Sequence, residues 1–371
     1  MTRRRTSRPL SRSLVALGAL VLAACGGSST APPPRPDTTR AEPDTRSLRT
    51  LAEAKGISIG AAAGSGLFLR PVGDAQGDTL RAHLRREFNM VWSGNFMKFS
   101  TIRPSRAVFD YRNADLMVSF AAANGMKVRG HTLVWHQQNP GWLTSGSWTR
   151  EQALAAMYEH IDSVVTHFKG KLAAWDVVNE AINDDGTMRS TLWSQRIGDD
   201  YIALAFQRAA QVEPGVPLYY NDYNIEGPGA KADAAYDLVR SLKNAGVPIH
   251  GIGFQGHFIA GQVPTRAQLA ANFARFAALG LAVQITELDI RVPMPSTAAS
   301  LQQQAFDFAT VFQACLDVPA CNAVEIAGVF DGESWVPGTF PGWGDAHLLS
   351  LTFGRKPAYW SVHKALGGRG G

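Results

Sequence analysis

The chain has 371 residues, of which 45% are hydrophobic and 18% charged, and this composition is typical of a globular protein rather than a disordered or fibrous one. Residues 1–24 contain five of the 36 basic residues and no acidic residue, so the remaining basic residues equal the 31 acidic ones in number. A neutral folded part lacks the basic face that nucleic acids require, and we therefore expect no nucleic-acid partner.

The first 24 residues have the pattern of an export signal. A segment with five arginines is followed by an apolar stretch of 11 residues, Leu14–Ala24, which is too short to cross a bilayer. The stretch ends in Leu22-Ala23-Ala24-Cys25, which resembles the lipobox of bacterial lipoproteins. An ordinary signal cleavage site beside an incidental cysteine is the alternative. The pattern predicts export to the cell surface or outer membrane, with a lipid on Cys25 as the only membrane link, or secretion if Cys25 is not lipidated.

The segment after Cys25 is expected to be a tether. Residues 26–46 contain five prolines and no large apolar side chain, so they cannot form a core and favour an extended linker. Ser47 is a suitable N-cap for a first helix that would end at Gly56. We therefore predict a signal peptide at 1–24, a lipidated cysteine and linker at 25–46, and one folded domain at 47–371.

Three cysteines are present, and export makes their pairing relevant. If Cys25 carries a lipid, Cys315 and Cys321 remain free to pair and would close a short loop. Two buried thiols are the alternative. An oxidising compartment favours the disulfide.

Short β-rich runs alternate with helix-like stretches through the folded part. The runs start between 31 and 47 residues apart and cover Ile57–Ala61, Phe88–Trp92, Lys127–His131, Ala174–Asn179, Pro217–Asp222, Gly251–Gln255, Ala282–Glu287 and Val324–Phe330. Eight successive βα units predict a parallel sheet, and eight is the number that closes a (β/α)₈ TIM barrel. A doubly wound open sheet is the alternative.

Polar residues follow the apolar part of five of these runs. They are His131, Asn179 with Glu180, Asn221 with Asp222, Gln255 with His257, and Glu287 with Asp289. Since the carboxyl ends of barrel strands converge on one mouth, where active sites are built, we expect these side chains to meet there.

The residue types at this mouth favour carbohydrate chemistry. A metal cluster of His131, His136 and His257 is the alternative, but these residues lack the i,i+4 spacing of helical ligands, and we expect neither a metal nor a cofactor. Glu180 and Glu287 form a carboxylate pair of the kind that cleaves glycosidic bonds. Amides and indoles that suit a hydroxyl-rich sugar accompany them: Asn95, Gln138, Asn179, Gln255, Trp135, Trp335 and Trp343.

The motifs resemble those of glycoside hydrolase family 10, the endo-1,4-β-xylanases. They are VRGHTLVWHQQNPGWL (128–143), WDVVNEA (175–181), YYNDYN (219–224), GFQGHF (253–258) and ITELDI (285–290). The likeness runs from about Leu48 to Val362 and includes the CLDVPAC cysteine pair. It implies a (β/α)₈ barrel that cleaves internal β-1,4-xylosidic bonds of xylan or xylo-oligosaccharides by double displacement, and we expect the enzyme to act as a monomer.

The resemblance also assigns roles to individual residues. Glu180 would be the acid/base and Glu287 the nucleophile, with His257 and Asp289 supporting Glu287. Asn179 would bind the sugar 2-hydroxyl beside the cleaved bond. The remaining substrate contacts implied by the family motifs are Asn95, Lys98, His131, Trp135, Gln138, Tyr223, Gln255, His257, Trp335 and, in a variable loop, Trp343.

Two departures from the family pattern lie on the non-reducing side of the cleft. Gly94 stands where the family has a glutamate, and Ala327 where it has a tryptophan. Unless Phe96, Phe99 or Phe330 fills the space of the indole, the cleft should be wider there. Two alternative functions therefore remain open, a family member with shifted β-glycoside specificity and a glycan-binding surface lipoprotein of low activity.

Overall fold

The computed structural model describes residues 44–369 of the chain. The predicted signal peptide, Cys25 and the linker up to residue 43 lie outside the described residues. Within residues 44–369, no helix combines the length and the apolar character that a bilayer crossing requires.

Eight parallel strands close into a barrel. The strands of the described chain are β1 (Ser58–Ala62), β2 (Met90–Trp92), β3 (Lys127–Val134), β4 (Ala174–Asn179), β5 (Leu218–Asp222), β6 (Gly251–Phe254), β7 (His257–Ile259), β8 (Ala282–Pro293), β9 (Cys321–Ile326) and β10 (Trp343–Gly344). Strands β1 to β6 pair in sequence order, β6 pairs with β8, β8 with β9, and β9 with β1. The closed ring confirms the (β/α)₈ TIM barrel and excludes the open doubly wound sheet.

Helices surround this barrel, and several of them begin at a capping side chain. They are α1 (Leu48–Ala54), α2 (Ala75–Glu87), α3 (Phe99–Ile102), α4 (Arg112–Ala123), α5 (Gly141–Thr144), α6 (Arg150–Phe168), α7 (Leu192–Arg196), α8 (Tyr201–Val212), α9 (Ala230–Asn244), α10 (Arg266–Ala277), α11 (Ala298–Leu316), α12 (Val336–Thr339) and α13 (Pro357–Ala365). The predicted N-cap Ser47 accepts a hydrogen bond from the Thr50 amide, and capping boxes open α6, α10 and α11.

Two short strands extend the barrel at the end where the polar residues lie. Strand β8 continues to Pro293, six residues past the predicted end at Glu287, because two further strands pair with its second half. β7 pairs with it in parallel, opposing His257 to Asp289, and β10 pairs with it antiparallel. Together, β7, β10 and the second half of β8 form a wall on one side of the barrel mouth.

The predicted disulfide is present between Cys315 and Cys321, whose Cα atoms are 5.2 Å apart. Cys315 lies in the last turn of α11 and Cys321 begins β9, so the bond closes the tight connection between the two elements. Both cysteines are buried in the hydrophobic core.

Candidate active site

A cleft of about 800 Å³ opens at the carboxyl ends of the barrel strands. Eleven of the residues predicted from the sequence line it: Asn95, Lys98, His131, Trp135, Asn179, Glu180, Tyr223, Gln255, His257, Glu287 and Trp335. Asp289 lies behind the wall and is fully buried. Two predicted residues, Gln138 and Trp343, are not part of the lining and contact it indirectly. The Gln138 amide donates to Asn95 (3.2 Å), and Trp343, in β10, lies beside Arg291. The preceding residue, Gln137, lines the cleft instead of Gln138.

Glu180 follows strand β4 directly and is held by side-chain amides. Its Oε1 accepts hydrogen bonds from Gln255 (2.9 Å) and from Asn179 (3.1 Å). Nδ1 of His136 lies 3.9 Å from its other oxygen, Oε2. The carboxyl is thus surrounded by neutral donors and one imidazole, on the side of the cleft that also holds Tyr223 and Arg189.

Glu287 lies inside strand β8 and has a more positive environment than Glu180. Its Oε1 accepts a hydrogen bond from Asn221 (2.9 Å) and is 3.9 Å from Nε2 of His131, while Oε2 is 3.6 Å from Nε2 of His257. Burial alone would raise the pKa of Glu287, but the imidazoles of His131 and His257 outweigh it, and Lys98 adds to them, so the pKa is held well below its usual range. Glu287 is therefore ionised at neutral pH.

His257 is oriented by groups behind the cleft wall. The β7–β8 register places it beside Asp289, whose Oδ2 is 3.1 Å from His257 Nδ1 and accepts a hydrogen bond from Trp335 Nε1 (2.6 Å). Burial opposes the charge on His257, yet Asp289 and Glu287 together raise its pKa well above the usual value. The protonated imidazole thus donates toward Glu287.

A buried layer beneath the cleft orients His131 in a similar way. Nδ1 of His131 is 2.9 Å from Oδ2 of Asp176, and Asp176 also forms a buried ion pair with Arg129. Asp176 therefore fixes the ring orientation in which Nε2 of His131 faces Glu287.

The two carboxyls are connected by a chain of amides. The Gln255 amide donates to both Glu180 Oε1 (2.9 Å) and Asn179 Oδ1 (3.3 Å). The Asn221 amide donates to both Asn179 Oδ1 (2.9 Å) and Glu287 Oε1 (2.9 Å). Asn179 therefore lies between the glutamates, and its position relative to both is set by three neighbouring strands.

On the opposite wall, Lys98 lies beneath the face of Trp135. Its ammonium is 4.1 Å from the ring centroid and is almost completely buried. Burial lowers the pKa of Lys98, while the charges of Glu287, Glu180 and Asp176 act against this change. A cation and an indole at this wall present a donor and an apolar face to a ligand.

Each of the three histidines of the metal alternative has a different carboxylate beside its Nδ1 atom. His131 contacts Asp176, His257 contacts Asp289, and His136 lies near Glu180. Across residues 44–369, no three histidine, cysteine, aspartate or glutamate side chains are grouped so as to hold a metal ion.

Comparison with known proteins identifies the family. A model of glycosyl hydrolase family 10 matches residues 47–365. The chain belongs to glycosyl hydrolase family 10. This match agrees with the limits of the likeness, Leu48 to Val362, that the sequence motifs indicate.

Several family 10 relatives have names or structures that describe xylanases. The chain is similar to endo-1,4-beta-xylanase B of Thermotoga neapolitana, at 41% identity over 86% of this chain and 91% of the relative. It is 46% identical to endo-1,4-beta-xylanase D of Talaromyces funiculosus, over 74% of this chain and 68% of that protein. Among solved structures, xylanase 10B of Thermotoga petrophila in complex with xylobiose has a TM-score of 0.84 at 41% identity, covering 88% of this chain and 98% of that one.

The structure gives a physical reason for one departure from the family pattern. Gly94 has φ +51°, and a Cβ there would lie 2.8 Å from the Cα of Gly64. No side chain fits at this position without a shift of the backbone, so a glutamate at 94 would require a different backbone path beside Gly64.

The second departure leaves open space at the cleft. Ala327 lines the cleft together with Gly328 and Glu333. None of the three phenylalanines that could replace the indole is part of the lining. Phe99 stacks on His160, Phe330 stacks on Phe353, and Phe96 packs near Phe68.

Sequence reasoning did not assign a site role to several residues that hold the family 10 site together. Asn221, Asp176 and Arg129 are fully buried polar residues. Asn221 donates to Glu287, Asp176 holds His131, and Arg129 pairs with Asp176. Asn221 was among the polar strand ends, which is the signal that could have found it. Arg129 and Asp176 lie within strands, where their alternation with apolar residues does not distinguish a site from a buried ion pair.

Proposed function

We propose that this protein is an endo-acting, retaining 1,4-β-xylanase in which Glu287 is the nucleophile and Glu180 the acid/base. The observation that carries the proposal is the contrast between the two carboxyls in one cleft. Glu287 is kept ionised by His257, His131 and Lys98, whereas Glu180 is held by neutral amide donors. Double displacement requires one ionised carboxyl as the nucleophile and a second carboxyl, in different surroundings, that transfers the proton.

The geometry supports the following reaction. In the first step, Glu287 attacks the anomeric carbon, and Glu180 transfers a proton to the departing glycosidic oxygen. The negative charge of Glu287 is consumed in the ester that forms. In the second step, Glu180 takes a proton from water, the water attacks the same carbon, and Glu287 leaves as a carboxylate. Two inversions leave the product with the configuration of the substrate.

In the proposed mechanism, Asn179 assists both steps. Its carbonyl oxygen accepts hydrogen bonds from Asn221 and Gln255, and its amide lies between the two glutamates. A sugar hydroxyl beside the anomeric carbon would meet this amide as the ring changes shape.

Variants of the two glutamates test the proposal. Glu287→Ala should abolish turnover on every β-xyloside. Glu180→Ala should retain activity on aryl xylobiosides with acidic leaving groups, which depart without a proton, and azide should increase that activity by replacing the activated water. The anomeric form of the first product, followed by NMR, is the decisive measurement, because an inverted product would overturn the retaining assignment.

A second candidate function is a family 10 enzyme that prefers decorated or altered β-glycosides. The open space beside Ala327 and the absence of a side chain at Gly94 favour it. An indole at 327 would add roughly 150–250 Å² of apolar surface. Without this indole, the non-reducing half of the cleft binds an undecorated xylose chain more weakly and leaves room for substituents on the sugar chain.

Ala327→Trp tests this second candidate. The variant should lower KM on linear xylo-oligosaccharides and improve decorated xylan less, or impair it. Thr339→Trp adds an indole at another exposed position of the same cleft and serves as the matched control. A lower melting temperature with no gain on linear substrate would mean that the space at 327 is not available, since overpacking costs ~1–3 kcal/mol.

We further infer that the enzyme is exported and attached to a membrane through Cys25. The supporting features are the arginine-rich and apolar segments before Cys25 and the proline-rich segment after it. In this arrangement, residues 1–24 are removed, residues 25–46 form the anchor and linker, and residues 47–371 form the catalytic domain. The linker would hold the cleft away from the membrane, where it can reach an insoluble polysaccharide.

A further inference from the structure

Glu180 has an unusual backbone conformation for a residue with a side chain. Its φ is +57°, in the left-handed region that residues other than glycine seldom occupy. Glu287 lies within the hydrogen-bonded strand β8 and is not in this region. The direction of the Glu180 carboxyl therefore depends on whatever holds this local turn in place.

The peptide group that follows Glu180 is held from both sides. Its carbonyl oxygen, on Glu180, accepts a hydrogen bond from Nε of Arg189 (3.0 Å). Its N–H, on Ala181, donates to the phenol oxygen of Tyr220 (3.0 Å). Because this peptide plane determines ψ of Glu180, the two contacts fix the backbone from which the carboxyl projects.

Tyr220 is itself held in one orientation by a buried ion pair. Its hydroxyl donates to Oδ2 of Asp222 (2.5 Å), which leaves the phenol oxygen free to accept from Ala181. Asp222 also accepts from Lys231 Nζ (3.0 Å) and from the backbone of Tyr223 (2.9 Å). Tyr220 and Asp222 are fully buried and do not line the cleft.

We propose that Tyr220 is a positioning residue for the acid/base, its hydroxyl holding the peptide after Glu180 so that the carboxyl points at the glycosidic oxygen. The proposal rests on the proposed function, in which Glu180 transfers that proton. Tyr220 contacts no substrate and acts only through Glu180, with Asp222 and Lys231 orienting its hydroxyl.

The proposal predicts a selective defect. Loss of the Tyr220 hydroxyl should impair proton transfer to the leaving group and leave attack by Glu287 largely intact. His257 and His131, which face Glu287, lie on β7 and β3. Asn221 neighbours Tyr220 on β5 but holds Glu287 through its own side-chain amide, which the Tyr220 hydroxyl does not contact. A substrate whose leaving group needs no proton should then be nearly insensitive to the change.

The test measures kcat/KM of Tyr220→Phe on a series of aryl β-xylobiosides, from 2,4-dinitrophenyl to unsubstituted phenyl, and on xylan. General acid catalysis is worth roughly 10²–10⁴-fold, so partial displacement of the carboxyl should cost ~10- to 100-fold on the phenyl substrate and on xylan, with little loss on the dinitrophenyl substrate. The dependence of rate on leaving-group acidity should steepen toward that of Glu180→Ala.

Tyr219→Phe is the matched control. Tyr219 is the preceding residue on β5, is equally buried, and faces Arg129 rather than Ala181. Any loss in this variant should be the same for every leaving group. Circular dichroism melting of each variant establishes that it is folded at the assay temperature.

The outcomes separate the two proposals. Equal loss on all leaving groups in Tyr220→Phe, or no loss on any, would overturn the positioning role while Glu180→Ala still shows the selective pattern. If Glu180→Ala itself lacks that pattern, the proposed function fails.

If Tyr220→Phe does not fold, Asp222→Asn takes its place, because it weakens the acceptor that orients the Tyr220 hydroxyl. The same leaving-group pattern at smaller amplitude is then expected, and its absence would overturn the proposal.

Discussion

The charge state of Glu287 depends on residues that reach it from different strands. His257 comes from β7 and His131 from β3, and each is backed by its own buried aspartate, Asp289 or Asp176. Neither aspartate touches the cleft. The ionisation of Glu287 is therefore controlled by carboxylates one contact further away, which hold the imidazoles in the orientation that favours the charged form.

Replacing His257 should change the pH dependence of the enzyme. The positive imidazole holds the pKa of Glu287 low, so His257→Asn should raise that pKa and move the acidic limb of the kcat/KM profile to higher pH by roughly 1 unit or more. The pH profile on an aryl xylobioside measures the shift. His136→Asn alters the surroundings of Glu180 and serves as the control, whose acidic limb should stay in place. An unmoved limb in His257→Asn would contradict the role assigned to this histidine.

His160 is a buried histidine that should make the stability of the fold depend on pH. It is stacked on Phe99, with ring centroids 3.7 Å apart, and burial, assisted by the Arg103 charge, lowers its pKa to about 3. The unfolded chain binds a proton on this histidine below about pH 6.5 and the folded chain does not, so the folded state loses stability as pH falls below 6.5. At pH 5 the loss from this residue should be about 2 kcal/mol.

His160→Phe keeps an aromatic ring on Phe99 and removes the titration. The free energy of unfolding of this variant, measured by urea denaturation, should fall less between pH 7 and pH 5 than that of the natural protein, by about 2 kcal/mol. Equal falls in the two proteins would show that His160 does not contribute to acid sensitivity.

Among the elements, strand β8 contributes most to the site. Its first half closes the barrel against β6 and β9, and its second half pairs with β7 and β10 beyond the barrel rim. The proposed nucleophile Glu287 and Asp289, which orients His257 beside it, lie on this single strand, near the point where the barrel pairing gives way to β7. A rigid strand places both more reproducibly than a loop would.

The connection from α11 to β9 is closed by the Cys315–Cys321 disulfide, which should stabilise the folded protein. A loop of this length restricts the unfolded chain enough to stabilise the fold by ~2 kcal/mol. The double variant Cys315→Ala with Cys321→Ala should lose about that much unfolding free energy and remain active at 25 °C, since the bond lies away from the cleft lining. Urea denaturation with and without reductant measures the loss, and identical curves for the double variant and the oxidised natural protein would refute it.

At the scale of the whole molecule, the proposed export and anchoring depend on residues 1–46, which precede the catalytic domain. Cys25→Ser should release the enzyme from the membrane fraction or leave it unprocessed, while the kcat/KM of the protein on xylan is unchanged. Cell fractionation followed by activity assays measures this. Identical partitioning of the natural and variant proteins would exclude the lipid anchor, and export would then rest on the signal peptide alone.

Much of the fold was determined by features that repeat along the chain. The alternation of β-rich and helix-like segments predicted the eight barrel strands, because a strand and its helix are each recognisable over a dozen or so residues. Glu180 and Glu287 could be recognised as candidate catalytic residues because they stand at strand ends, which a parallel barrel necessarily brings together. The sequence did not predict the short strands β7 and β10, because segments of three and two residues are too short to show an alternating hydrophobic pattern.

Contacts between distant segments were decided only by the tertiary structure. Three features of the site could not be predicted from local spacing. They are the close approach of Gly94 to Gly64, the hydrogen bond from the Ala181 amide to Tyr220, and the presence of Gln137 rather than Gln138 in the cleft lining. The physical reason is that a side chain's orientation at the barrel mouth depends on register and packing among several strands at once. The sequence determined which strand ends meet at the mouth, and the packed barrel determined which of their side chains line the cleft and what each of them touches.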